Sequence, residues 1–326
     1  SSSSAAALPA GYLGAIHYEW NEIARASEIL GDRFGTAIET SPIGSLTRFC
    51  LTASRLVALG GERDEAYRIL EQAGAVARDR DWLRMLTACE GEMVRLLVED
   101  AALARASRIV QALAGRMPAT PPSPPGSFTE THCHFELARS RLLMARGAHH
   151  EAAVHLEALG RHLAGRGMAY FAARAHLLHA LALDGGGARQ AALAALAPAL
   201  AYGQQNGLVR SFIDEGGGLL PPVEPPPAGL PGVDAWYLAD LLGAGGRARG
   251  RVAAGQTPLS ARERDILAGL AQGLSNKEIA RTLQLAPETV KWHLKNVFLK
   301  LHVTSRLQAV HWARTHTPGL TPSAPR

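Results

Sequence analysis

The four lysines of the chain, Lys277, Lys291, Lys295 and Lys300, all fall within one 24-residue window that also holds Thr289, Trp292 and Asn296. Ammonium groups interleaved with an aromatic, an amide and a hydroxyl do not make or break bonds. They bind phosphates and reach base acceptors. The charge balance follows the same division: residues 1–256 carry 24 Arg and no Lys against 25 acids, whereas residues 257–317 carry four Lys and five Arg against four acids. The excess positive charge is therefore concentrated near the C-terminus, the electrostatic footprint of a nucleic-acid contact surface.

Other reactive side chains do not converge. His132 and His134 flank Cys133, and His149 and His150 precede Glu151. Adjacent helical residues point about 100° apart and those two apart about 200°, so neither set closes on one ion. No catalytic and no metal-binding residue is assigned, and the expectation is a non-enzyme. Cys50, Cys89 and Cys133 lack ligand or disulfide spacing and are read as small buried hydrophobes in a reducing, cytoplasmic protein. Tyr18, Trp20, Trp82, Tyr170 and Phe171 are read as core rather than as a ligand groove. No stretch approaches the roughly 18 apolar residues of a membrane span, so no membrane partner is expected.

The basic window needs helices to position it. Ser260 with Glu263 and Ser275 with Glu278 are capping boxes, which start one helix at Ala261 and a second at Asn276. The first ends at Gly273 and the second near Leu283; Pro287 opens a third. Two short helices joined by a tight turn give helix-turn-helix geometry. In the third helix Val290, Leu294, Val297 and Leu301 form a core stripe. That orientation turns Trp292 and Lys295 outward, with Lys291 on one shoulder and Thr289 and Asn296 on the other. Lys291, Trp292 and Lys295 are assigned to base edges. Ser275, Lys277, Thr289, Asn296, Lys300 and Arg306 are assigned to the phosphate backbone. Ala286 stands where the third helix wants an N-cap, and Ala cannot cap; the missing bond costs about 1 kcal/mol.

Residues 1–10 are read as a disordered tail and 11–215 as consecutive amphipathic helices without strand alternation. Ala26, Ala66 and Ala106 recur at intervals of 40, with later equivalents near Ala153 and Ala192. The one stretched interval, of 47, spans a Pro-rich loop at 118–127. About five helix pairs of this period describe an α-solenoid of the tetratricopeptide (TPR) kind; an irregular helical bundle is the alternative. Pro and Gly clusters make 216–256 a linker with a short apolar helix around Trp236, Tyr237 and Leu241, able to dock on either neighbour. Residues 318–326 are read as a second disordered tail. The fold class expected is all-α.

Residues 257–317, through LSARERDIL, GLSNKEIA, PETVKWHLKNV and KLHVTSRLQAV, resemble the DNA-binding domain of LuxR-family transcriptional regulators. The resemblance implies a four-helix domain that binds double-stranded promoter DNA as a dimer or higher oligomer. Val303, Leu307 and Val310 of the last helix are the implied dimerisation candidates. The repeats, with NGLVRSFIDEG at 206–216, resemble the large MalT-like subclass, in which an ATPase domain precedes a helical sensor. Activation with RNA polymerase as a partner is implied, together with a small-molecule inducer or regulatory protein on the repeats. A phosphate-binding P-loop needs Gly-Lys-Ser/Thr, and no lysine precedes Lys277, so no cofactor is expected in this chain. The resemblance would place ATP in an N-terminal domain that this sequence does not include; the start at Ser1 rather than Met suggests part of a longer protein. An interaction adaptor with secondary DNA binding is the alternative function.

Overall fold

The computed structural model describes residues 4–31, 34–117, 127–216 and 261–283 continuously, with 233–234, 237–238, 241, 259, 285, 290–291, 293–294, 297–298, 301, 303 and 305–316 beside them. The chain divides into two compact units, Ser1–Gly250 and Arg251–Arg326. Both are helical, and no strand occurs among the described residues.

The first unit is built from α1 (Ser4–Glu19), α2 (Ile23–Leu30), α3 (Phe34–Thr40), α4 (Ile43–Leu59), α5 (Arg63–Asp79) and α6 (Leu83–Glu99), then α7 (Leu103–Ala114), α8 (Ser127–Ala145), α9 (His149–Ala164), α10 (Ala169–Gly185), α11 (Arg189–Asn206) and α12 (Arg210–Gly216). Helices α1, α4, α6, α8, α10 and α12 follow one another as an inner layer, each packed on the next. Helices α2, α5, α7, α9 and α11 alternate with them as an outer layer, giving the expected five pairs. Residues 4–10, expected as a tail, belong to α1; Ala5 to Ala7 are the best helix formers and extend it backwards.

One local device sets the period. Asn21, Gly61, Ala101, Gly147 and Gly187 adopt positive φ between the inner and outer helix of each pair. The residue after each donates its N–H to the carbonyl five positions back: Glu22 to His17, Glu62 to Val57, Ala102 to Leu97, Ala148 to Leu143 and Ala188 to Leu183, at 2.8–3.2 Å. This is the Schellman closure of a helix C-terminus. Five residues beyond each turn lies an alanine with no exposed surface: Ala26, Ala66, Ala106, Ala152 and Ala192. The fourth equivalent is thus Ala152 rather than Ala153, and the stretched interval is 46. Adjacent alanines are indistinguishable by type; only the backbone turn sets the register. The Pro-rich residues 118–126 of that interval lie outside the described residues.

The short segment expected within the linker packs on the first unit's own core. Tyr237, Leu238 and Leu241 are buried with Leu208, Val209 and Phe212. Gly203 leaves room for this: a Cβ there would lie 2.4 Å from the Tyr237 hydroxyl and 2.5 Å from the Phe212 ring. Gln204 fastens the segment, accepting from the Asp234 N–H at 2.7 Å and donating to its carboxylate at 3.2 Å.

The interior of the inner layer is ionic. Arg55 of α4 donates two bonds to Glu92 of α6, at 3.0 and 2.7 Å, and Arg95 donates to the same carboxylate at 2.8 Å. Arg141 of α8 grips Glu215 of α12 with both arms of its guanidinium, and Arg174 of α10 adds a third bond at 3.2 Å. Arg210 pairs with Asp214, which also accepts from the Tyr18 hydroxyl of α1 at 2.8 Å. Hydrogen bonds join α1 to the start of α12: Val209 N–H donates to the Glu19 carbonyl at 2.8 Å, and the N–H and hydroxyl of Ser211 donate to the Glu19 carboxylate. Arg55, Arg95 and Arg141 sit six residues before three successive turns, so this interior is itself a repeat, spaced 40 and 46.

The ionic interior leaves its mark on titration. Glu215 loses hydration on burial, but Arg141 and Arg174 overcompensate and hold its carboxyl down to about 2. Glu92 is likewise held well below the usual carboxylate range by Arg55 and Arg95. Burial, reinforced by Arg174, Arg141 and Arg55, holds the half-buried His134 ring down to about 3. Burial also lowers His132, His176 and His179. Each of these groups binds its proton less readily folded than unfolded, so stability falls with pH from about 6.5 for the histidines and from about 4.5 for the carboxylates. The melting temperature, followed by circular dichroism, is expected to fall continuously from pH 6.5 towards 2, and His134→Gln to shallow the slope above pH 4.5. A second expectation concerns the one alanine with positive φ among these turns. Relief of the left-handed strain, less the entropy that glycine adds to the unfolded chain, makes Ala101→Gly stabilising by about 0.5–1 kcal/mol, read as a higher melting temperature.

Candidate nucleic-acid interface

The second unit contains α13 (Ala261–Ala271), α14 (Asn276–Thr282) and α15 (Arg306–His316), with helical residues 290–291, 293–294 and 297–298 between them. Gly273 ends α13 with φ +84; its N–H donates to the Leu270 carbonyl at 3.0 Å, and Leu274 N–H donates to the Gly269 carbonyl at 3.1 Å. Ser275 then caps α14 reciprocally: its hydroxyl accepts from Glu278 N–H at 3.3 Å, and its own N–H donates to the Glu278 carboxylate at 2.7 Å. Hydrogen bonding with Ser275, through its side chain and its backbone, lowers the Glu278 carboxyl from its ordinary value. Gly269 lets the two helices cross closely, since a Cβ there would lie 3.0 Å from Ile279. The expected helix, tight turn and capped second helix are all present. Ser260, the expected cap of α13, lies outside the described residues.

Val290, Leu294 and Val297 are buried against Ile266, Leu267, Leu270, Ile279, Ala309 and Ala313, and Leu301 packs at the margin. The core stripe read from spacing therefore holds. His293 joins it with 2 % of its surface exposed, a position that its polar type conceals in the sequence. The signal was present in its spacing, three residues from Val290 and four from Val297.

With the stripe inward, Lys291 is exposed, as are Ser275, Lys277 and Arg306. The hydroxyl of Ser275 is committed to its cap. Arg306 has a role that sequence reasoning missed: it donates to the Leu274 carbonyl, and at 3.2 Å to the Asn276 side chain, so the start of α15 clasps the turn between α13 and α14. This brings Arg306 to the end of α14 that carries Ser275 and Lys277. Trp292, Lys295, Thr289, Asn296 and Lys300 lie outside the described residues, as do Ala286, Pro287 and Glu288. Of the three dimerisation candidates, Val303 and Val310 are partly buried against the domain's own core, whereas Leu307 is 79 % exposed.

Elsewhere the side chains diverge as their spacing requires. Cys133 is buried, His132 turns to Glu136 at 4.0 Å, and His134 packs edge-on against Phe171. All three cysteines are free and buried, and burial pushes the Cys50 and Cys133 thiols up to about 12. No group of three candidate metal ligands occurs among the described residues. No helix among them is long and apolar enough to cross a membrane.

Residues 257–313 match the model of bacterial regulatory proteins of the luxR family, and residues 2–221 match that of the MalT-like TPR region. The chain belongs to the MalT-like TPR family and carries a LuxR-type helix-turn-helix domain at its C-terminus. Its C-terminal part is 53 % identical over 55 residues to the CsgBAC operon transcriptional regulatory protein of Escherichia coli, covering 17 % of this chain and 26 % of that protein. It is 50 % identical over 54 residues to the nitrate/nitrite response regulator NarL of the same organism, covering 17 % and 25 %. It is 40 % identical over 67 residues to the regulator AlkS of Alcanivorax borkumensis, covering 21 % of this chain and 8 % of that protein. The chain thus spans less than a third of the length of each of these relatives. No solved structure matches it.

The clasp has a measurable consequence. Arg306→Ala is expected to destabilise the second unit by about 1 kcal/mol in thermal unfolding. Arg306→Lys is expected to recover little of it, because an ammonium lacks the fork that reaches two acceptors at once.

Proposed function

We propose that this regulator is an activator that binds double-stranded promoter DNA by seating the helix after α14 in the major groove. Lys291, Trp292 and Lys295 read base edges. Lys277, Thr289, Asn296, Lys300 and Arg306, together with the capped N-terminus at Ser275, hold phosphates. The observation that carries this reading is the burial of Val290, Leu294 and Val297, which leaves Lys291 exposed on the same helix. Two copies pair on DNA through α15, with Leu307 as the projecting contact, and present the complex to RNA polymerase. The repeats supply the sensor for an inducer or regulatory protein, the organisation that the MalT-like match supports.

Duplex binding through four or more phosphate contacts makes log affinity fall against log salt with a slope of roughly −4 or steeper. A slope near zero would mean that DNA is not the ligand. In genomic footprinting, the Lys291→Ala, Lys295→Ala double variant is expected to lose the native pattern. Unchanged footprints would move the reading face elsewhere.

A further inference from the structure

The ionic interior of the first unit does more than hold helices together. Without α12, the inner helices present Arg55, Arg95, Arg141 and Arg174, all largely buried, against one buried carboxylate, Glu92. Helix α12 inserts Glu215 and Asp214, whose side chains are 6 % and 10 % exposed; Asp214 is matched by Arg210 of the same helix, so Glu215 is the carboxylate that α12 adds to the inner arginines. The carboxylate of Glu215 thus occupies a guanidinium fork as a bound organic acid would: bidentate on Arg141, with a third donor from Arg174. A small space of about 10 Å³, lined by Arg55, Glu92, His134, Arg141 and Arg174, reaches the same two arginines and has room for about one water. Any larger anion on the fork must take the place of Glu215, which already engages both guanidiniums. A neutral His134 beside these guanidiniums adds no further positive charge and has a ring nitrogen available as an acceptor.

We propose that the Arg141–Arg174 fork is a receptor site for the oxyanion group of a small metabolite, a carboxylate or a phosphate, and that Glu215 is its tethered, exchangeable occupant. Displacement has a route outward. Glu215 lies on the same short helix as Phe212, which packs edge-on against Tyr237 at 6.2 Å between ring centres. The Tyr237 hydroxyl donates to the Leu208 carbonyl just before α12, so α12, through Phe212, shares its packing with the docked segment that precedes the DNA-binding unit in the chain. A ligand in the fork competes with the seating of α12 and hence with that dock. The inference rests on the sensor reading of the repeats and deepens it, but it makes no use of the DNA-reading residues.

The test uses the full chain with succinate and inorganic phosphate as probes, against sodium chloride at matched ionic strength. Glu215→Gln removes the anion while keeping the shape of the side chain. It is expected to melt lower than the native chain and to be raised saturably by one probe, at a concentration roughly tenfold or more below that needed by the native chain, because the tethered competitor has lost its charge. Succinate and phosphate separate the two oxyanion classes. Adding Arg174→Met should abolish the rise. In the native chain, hydrogen exchange of the α12 amides should accelerate with the same probe. No saturable rise over chloride in the Glu215→Gln chain overturns the site, as does a rise indifferent to Arg174→Met. If Glu215→Gln does not fold, native α12 exchange decides alone, and exchange unchanged by either probe overturns the proposal. These readouts need no DNA. Failure of the sensor reading would appear separately, as promoter binding unchanged by a probe that does occupy the fork.

Discussion

The first unit depends on arginines that are not allowed to meet water. Six inner helices would ordinarily enclose an apolar seam or leave an open concave groove. Here each inner helix contributes polar or charged side chains to one connected interior: Tyr18 and Glu19 from α1, Arg55 from α4, Glu92 and Arg95 from α6, Arg141 from α8, Arg174 from α10, and Asp214 and Glu215 from α12. Burying a guanidinium costs several kcal/mol unless a carboxylate meets it with good geometry. The bidentate bonds of Arg55 to Glu92 and of Arg141 to Glu215 provide that geometry. Such a network contributes less to net stability than to uniqueness. A one-residue slip of any inner helix would strand a buried charge, whereas the surrounding Ala and Leu contacts would tolerate it.

The same constraint explains why the repeat ends where it does. The inner layer closes because α12 returns to α1 and satisfies the last cations, rather than because the helix pairs run out. The residues after α12 inherit that position. Tyr237 and Leu241 are seated in the terminal core by Gly203 and Gln204, so part of what composition presents as a linker belongs to the repeat unit.

The second unit works by a different economy. Its core is small and apolar, and its turn is defined by backbone capping: a glycine in the left-handed region, a serine and a glutamate exchanging bonds, and an arginine from the last helix clasping the junction. Rigid presentation of the following helix is what a DNA-reading element requires, since base contacts carry specificity only when the backbone holds them in register. Lysine, a strongly hydrated point charge, occurs only in the C-terminal window, where Lys277 and Lys291 are exposed, whereas the buried cations of the first unit are arginines, whose planar fork can be matched by a carboxylate.

Much of this was legible in the residues alone, for physical reasons. The Ser275 capping box, the left-handed Gly273 and the stripe of Val290, Leu294 and Val297 are determined within a few residues of chain, so the helix-turn-helix and the outward placement of Lys291 follow from spacing. The helix-pair period also follows, because each pair repeats the same local turn. What the sequence could not decide was anything set by partners distant along the chain. Ala152 rather than Ala153 is the fourth repeat alanine because a turn at Gly147 sets the register. His293 is core, and Arg306 is a clasp, because of neighbours contributed by other helices. The arginines at 55, 95 and 141 repeat visibly in the sequence, yet their spacing does not say whether they are buried until the inner layer closes. Burial is a property of the assembled helices, and only the tertiary structure shows that Glu215, 74 residues beyond Arg141, is its partner.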